Sequence, residues 1–216
     1  MIFEIPKEAI LKVMIGQISS FFSVTADEIN IINTLSDEVF ERCERCFSKN
    51  ANKYYSRDGE TYFNPFHSGQ YNVFLYYFSN TIFKKVKEQM RLADKVYYLN
   101  KMLNSCDLFY AIELPECFAL DQPVGSVLGR AKYGNYFHFT QNCTVGNNKD
   151  VFPTFGENVG MAANSMVFGD CNIGDNAFIG VGAIVKDEDV PANSLVFGQS
   201  PNLIIKKRKR ILNIWN

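Results

Sequence analysis

Histidine is nearly absent from this chain: His67 and His138 are the only two in 216 residues. Six cysteines are scattered, and the one C-x-x-C pair, Cys43 and Cys46, has no second Cys/His pair at zinc spacing. A closed structural zinc site needs four ligands. No metal is therefore expected, and the thiols are expected to be reduced and mostly buried. Net charge is also missing, since 22 Lys and Arg against 23 Asp and Glu leave −1. That balance gives no bias toward nucleic acid or an anionic membrane surface. No apolar run approaches the roughly 18 residues of a spanning helix. The opening Met-Ile-Phe-Glu-Ile-Pro-Lys-Glu lacks the basic start and apolar run of a secretory leader. These absences point to a cytoplasmic protein with neither nucleic acid nor membrane among its partners.

What is present is an apolar fraction of 47%, enough for a real core, and a count of six. Phe155, Met161, Val167, Ile173, Ile179 and Val185 are apolar and six apart. Four residues after the first five stand Val159, Ser165, Cys171, Ala177 and Ala183, mostly small. Neither a 3.6-residue helix nor a two-residue alternation generates this period. A hexapeptide repeat does, and such a chain winds as a parallel β-helix with three repeats to a turn. The apolar residue of each repeat points inward and the small one packs near the corner. A second register runs upstream through Val127, Tyr133, Phe139 and Val145, with Ala131, Phe137 and Cys143 at its small positions. The segment Asn147 to Thr154 separates the two registers and reads as a loop extruded from the coil.

Before the hexads the chain reads as helical. Pro6 to Phe22 carries apolar residues at helical spacing, and Thr25 with Glu28 forms a capping box opening a short helix. Ser36 is expected to cap a further helix with Val39, Phe40, Cys43 and Phe47 on one face. Ser48 to Phe66 reads as a loop. Helices follow over about Ser68 to Gln89, whose aromatics at helical spacing read as core, and about Ala93 to Asn104. The fold class is α+β, an N-terminal α-helical domain followed by a left-handed parallel β-helix. The expected divisions are residues 1–107, 108–205 and a basic tail at 206–216. A helical cap would cover the open N-terminal end of the solenoid, and the tail's Lys206 to Arg210 suits a polyphosphate.

Several stretches resemble the hexapeptide acyltransferases, and within them the serine acetyltransferases. Phe66-His67-Ser-Gly-Gln70 resembles the family's F-H-A-L-Q helix start. Leu120-Asp-Gln-Pro-Val-Gly-Ser-Val-Leu-Gly129 resembles its L-D-H-A-T-G-x-V-x-G. Val181 to Pro201 resembles its final coil, where a lysine precedes V-P-A and a G-x-P turn lies near the coenzyme. The resemblance spans about Asn64 to Ile205. It implies acetyl-CoA as donor, coenzyme A as product, a small hydroxyl acceptor, no metal, and a homotrimer or a dimer of trimers through the helical domain.

One departure stands at the expected centre. Where the family has its catalytic histidine this chain has Gln122, next to Asp121, and a second family histidine is replaced by Phe152. Imidazole titrates near neutrality and can take a hydroxyl proton; a glutamine amide can only orient the acceptor. His138, one residue before inward Phe139, is expected to face outward and is the candidate substitute base. Asp121, Gln122 and His138 are thus the candidate catalytic residues, with His67 and Gln141 at the acceptor. Backbone N–H groups at the corners can serve the oxyanion. Small residues at Gly146, Ala162, Ala163, Gly180 and Gly182 let a pantetheine arm approach the backbone. Lys186, Pro201, Lys206 and Lys207 complete the candidate coenzyme contacts. A sugar O- or N-acetyltransferase of surface polysaccharide synthesis, for which an unprotonated amine needs less of a base, is one alternative. An inactive β-helix scaffold is another. The C-terminus does not end in isoleucine, as the tails that dock into a partner sulfhydrylase do, so that partnership is not expected.

Overall fold

A computed structural model describes residues 1–208 and 214–216, in two compact units. Residues 1–104 with 109–111 and 216 make the first, and 105–108 with 112–215 the second.

The first unit is built on four helices, α1 (Lys7–Phe21), α2 (Ala26–Phe47), α3 (Ser68–Lys85) and α4 (Met90–Asn104). α3 is buried on nearly every side, so its aromatics are core: Phe74 stacks on Phe40 and meets Phe63 and Phe78. The capping box at Thr25 forms as expected, with the Glu28 N–H donating to Thr25 Oγ1 and the Thr25 N–H to the Glu28 carboxylate. The helix it opens is not short. α2 runs straight through Ser36, whose hydroxyl donates to the Asn33 carbonyl one turn back and so caps nothing. The stretch read as a loop also holds structure. β2 (Ser56–Arg57) and β3 (Glu60–Phe63) form a hairpin across Asp58-Gly59, and β1 (Ile2–Phe3) pairs parallel to β3. Asp58 and Gly59 both take positive φ, the backbone of a tight hairpin turn. All six cysteines are buried and none forms a disulfide, and burial pushes the Cys43 thiol well up. Among the described residues no helix is long and apolar enough to cross a membrane.

Glu28 links this unit to pH. Burial opposes its charge, but Lys95 at 2.6 Å and the Thr25 N–H outweigh it and lower its pKa below the usual 4.5. A depressed carboxyl pKa gives stability that is present above the unfolded value and is lost as pH falls through the folded one. Acid titration of stability is therefore expected to show a loss below about pH 4.5 that Glu28→Gln removes. Parallel acid profiles for the two proteins would contradict this.

The second unit is a left-handed parallel β-helix of about five turns. One face stacks Phe118–Leu120, Phe137–Phe139, Gly160–Met161, Phe178–Ile179 and Ser194–Phe197 in parallel, closed by antiparallel Ile204–Lys207. A second stacks Asp107–Leu108, Val127–Leu128, Thr144–Gly146, Met166–Phe168 and Ile184–Lys186. A third holds Lys132–Tyr133, Thr154–Phe155 and Asn172–Ile173. All six hexad residues from Phe155 to Val185, and the small ones between them, are buried.

Upstream the count slips by one. Val127 is 43% exposed, whereas Leu128, in register with Val145, is 2% exposed and points inward. A one-residue shift along a strand moves a side chain to the opposite face. The solenoid continues past Val185, the last residue of the hexad count, with Val190 and Val196 buried in a further turn. The loop between the registers is a tight one. Asn148 and Val151 exchange two backbone hydrogen bonds around Lys149 and Asp150, both at positive φ, and Asn148 Nδ2 donates to Asp187. Corners of the coil are left-handed at Asn142, Asn164, Asn158, Asn176 and Asn193. Asparagine tolerates that backbone better than most residues. Its amides then bond coil to coil, as Asn158 to Asn176 and Asn176 to Asn193.

Candidate active site

Side chains alternate along each strand, so the first face has an outward ladder beside its inward one. Inward stand Leu120, Phe139, Met161, Ile179 and Val196; outward, in the same register, stand Ala119, His138, Gly160, Phe178 and Leu195. His138 faces outward as expected, yet it is only 5% exposed. Its Nε2 lies 3.0 Å from Asp121 Oδ2. Asp121 is placed by the end of its strand, where its N–H donates to the Phe139 carbonyl at 3.1 Å. Nδ1 of His138 is buried and has no hydrogen-bond partner among the described residues.

The structure thus pairs Asp121 with His138. Gln122 stays apart: it takes a left-handed φ of 49° in the turn after the strand, its side chain is exposed, and its carbonyl accepts from the Val124 N–H. Gln141 is half-buried, and its carbonyl accepts from the Asn164 N–H and the Cys143 thiol. His67 belongs to the helical unit and caps α3, with Nδ1 accepting from the Gln70 N–H. Its ring lies against Tyr54 and Tyr55 and lines a cavity of about 210 Å³ with Lys53, Arg57 and Asn64.

The small residues named for the coenzyme divide into two groups. A Cβ on Gly146 would stand 3.0 Å from the Phe168 ring, and one on Gly180 would stand 2.6 Å from the Val196 carbonyl and 2.7 Å from the Phe197 ring. Gly180 is required by the stacking of the coils themselves, whereas at Gly146 the Phe168 ring would have to give by a few tenths of an ångström. Ala162 is buried. Ala163 and Gly182 sit at an open corner, where the Gly182 N–H donates to the Ala163 carbonyl and no atom lies within 4 Å of a Gly182 Cβ. Lys186 and Pro201 are exposed in the last turn, and the Lys186 N–H donates to Ser200 Oγ. Lys206 and Lys207, expected in a tail, are exposed in the antiparallel edge strand opposite Leu195 and Ser194. Lys209 and Arg210 lie outside the described residues. Among the described residues no three His, Cys, Asp or Glu side chains gather as a metal site would require.

Gly160 and Phe178 escaped the sequence reading, which took Arg208 only as part of the basic run from Lys206 to Arg210. The Arg208 guanidinium lies 5.3 Å from the Phe178 ring centre, donates to the Asn176 carbonyl, and has its pKa lowered by burial. Gly160 and Phe178 each precede an inward hexad residue, which was the available signal.

No family model matches the chain. A serine acetyltransferase of Synechococcus elongatus is 29% identical over 119 residues, 53% of this chain and 48% of the relative. The chain therefore spans about half the length of the curated relative it matches. A solved serine acetyltransferase from Vibrio cholerae superposes with a TM-score of 0.70 at 20% identity, over 94% of this chain and 80% of its own. One from Brucella abortus in complex with coenzyme A superposes at 0.68 and 16% identity, over 96% and 84%. The chain is thus similar in sequence to a serine acetyltransferase and carries the fold of solved serine acetyltransferases.

Proposed function

We propose that the chain is an acetyl-CoA-dependent acetyltransferase of the serine O-acetyltransferase type, moving acetyl to a small hydroxyl acceptor. The observation that carries this reading is the Asp121–His138 pair on the face of the β-helix, beside the glutamine that departs from the family's motif. Likeness to serine acetyltransferases supports the donor and the reaction class. The open corner at Gly182 fits a pantetheine arm, because no described atom beyond its chain neighbours lies within 4 Å of a Gly182 Cβ, and Ala163 accepts from its N–H. Exposed Lys186, Lys206 and Lys207 suit phosphates.

His138 takes the acceptor proton, and Asp121 orients the ring and stabilises the imidazolium that forms. Gln122, exposed beside Asp121, orients the acceptor through its amide, with Gln141 as a further candidate contact. Chemistry is assigned to residues 108–205. The working assembly is a homotrimer, or a dimer of trimers, acting in the cytoplasm, with grooves between β-helices holding the donor.

The test is thiol release from acetyl-CoA with serine, hexoses and amino sugars offered in parallel. Release with serine is expected. Release only with hexoses or amino sugars would transfer the assignment to sugar O- or N-acetylation, and coenzyme binding without turnover of any acceptor would leave a scaffold.

A further inference from the structure

We propose that Nδ1 of His138 is the atom that accepts the proton, and that the notch over Gly160 limits acceptors to primary hydroxyls. This rests on the acetyl-transfer reading above. The imidazole has two nitrogens with different surroundings. Nε2 faces a carboxylate, which can only accept, so Nε2 carries the hydrogen and Nδ1 of the neutral ring holds a bare lone pair. Buried polar atoms nearly always have partners, and this one has none among the described residues. An acceptor O–H supplies the missing donor. The arrangement reverses the roles that the two ring nitrogens have in a serine-protease triad.

The neighbours of Nδ1 set what can deliver that hydroxyl. In the outward ladder His138 lies between Ala119 and Gly160, two of the smallest residues. The point where a Gly160 Cβ would stand is 3.9 Å from Nδ1, and 2.7 and 2.9 Å from Cδ2 and Cε2 of Phe178. The edge of the Phe178 ring therefore rests on the Gly160 backbone beside the lone pair. Phe178 is half-buried, and in this proposal an arriving acceptor displaces its ring. The space it releases is that of one missing side chain. A CH2–OH group enters such a space end-on, whereas a secondary ring hydroxyl brings two carbon branches with it.

The step balances within these groups. The acceptor O–H bond breaks and its proton moves to Nδ1, while the oxygen electron pair forms a C–O bond to the acetyl carbon. The C–S bond then breaks, and the proton on Nδ1 passes to the coenzyme sulfur. Asp121 stays ionised throughout and is a positioning residue.

Two measurements test the proposal. With only two histidines in the chain, ring ¹⁵N spectra of the protein and of His67→Gln isolate His138. The expected spectrum has hydrogen on Nε2 and a bare Nδ1, and Asp121→Asn, whose amide can donate, is expected to shift the hydrogen toward Nδ1. Hydrogen on Nδ1 in the unaltered protein would overturn the assignment whether or not turnover is seen. For the notch, Gly160→Ala is expected to lower kcat/KM for a primary alcohol about a hundredfold, since small misplacements at a reacting centre have effects of that size, with the acetyl-CoA KM unchanged. Phe178→Ala is expected to admit secondary hydroxyls. Full activity in Gly160→Ala, or equal use of primary and secondary hydroxyls by the unaltered protein, would overturn the notch and leave acetyl transfer standing. Absence of transfer to any hydroxyl would instead remove the reading on which the proposal rests.

Discussion

Replacing His138 with glutamine is expected to lower kcat for acetyl transfer by about a thousandfold, the middle of the range for a positioned general base, with little change in the KM for acetyl-CoA. Glutamine is chosen because its amide N–H can keep the hydrogen bond that Nε2 makes to Asp121 at 3.0 Å. Side-chain volume is roughly preserved in a site that is buried between Ala119 and Gly160. What it removes is the basic lone pair, which no carboxamide offers near neutral pH. Steady-state thiol release, with coenzyme affinity measured separately, reads the difference. Activity within a few-fold of the unaltered protein would take His138 out of the chemistry and return attention to Gln122.

The largest expected loss of stability is from Phe137→Ala, at about 3–5 kcal/mol. Phe137 is wholly buried, with ring centroids of Tyr133 at 5.0 Å, Phe155 at 5.2 Å and Phe139 at 6.1 Å. Tyr133 and Phe155 stack in parallel beside it at 5.4 Å. Later coils carry Val159, Cys171 or Ala177 at the small position of the repeat, so the early coil is filled by one large ring where others use several small groups. Its removal leaves a cavity that stacked, hydrogen-bonded strands cannot collapse to fill. The strand also carries His138, so the same change is expected to reduce turnover. Urea denaturation measures the loss, and a change below about 1 kcal/mol would mean the ring is not part of the packed core.

Much of this architecture can be read in the chain because a solenoid contacts mainly its neighbours in sequence. The hexads from Phe155 to Val185 are the buried ladder, and the capping box at Thr25 opens a helix where its chemistry requires. Errors arose where a local signal had two outcomes. Ser36 could cap a helix or bond back within one, and Asp58-Gly59 could lie in a loop or turn a hairpin. Val127 and Leu128 are adjacent apolar residues, and pairing with Val145 rather than spacing selects the inward one.

The candidate site was legible only as residue types. Asp121 and His138 are 17 positions apart, and nothing in their spacing says that one carboxylate oxygen meets Nε2. By itself the order of amino acids determined the period, the inward ladder and the scarcity of histidine, since each is a property of neighbouring residues. The partner of His138, its burial and its place beside Gly160 were decided by the stacking of one coil on the next. Coil stacking sets which outward side chains share a column, and that register depends on every turn and loop between them.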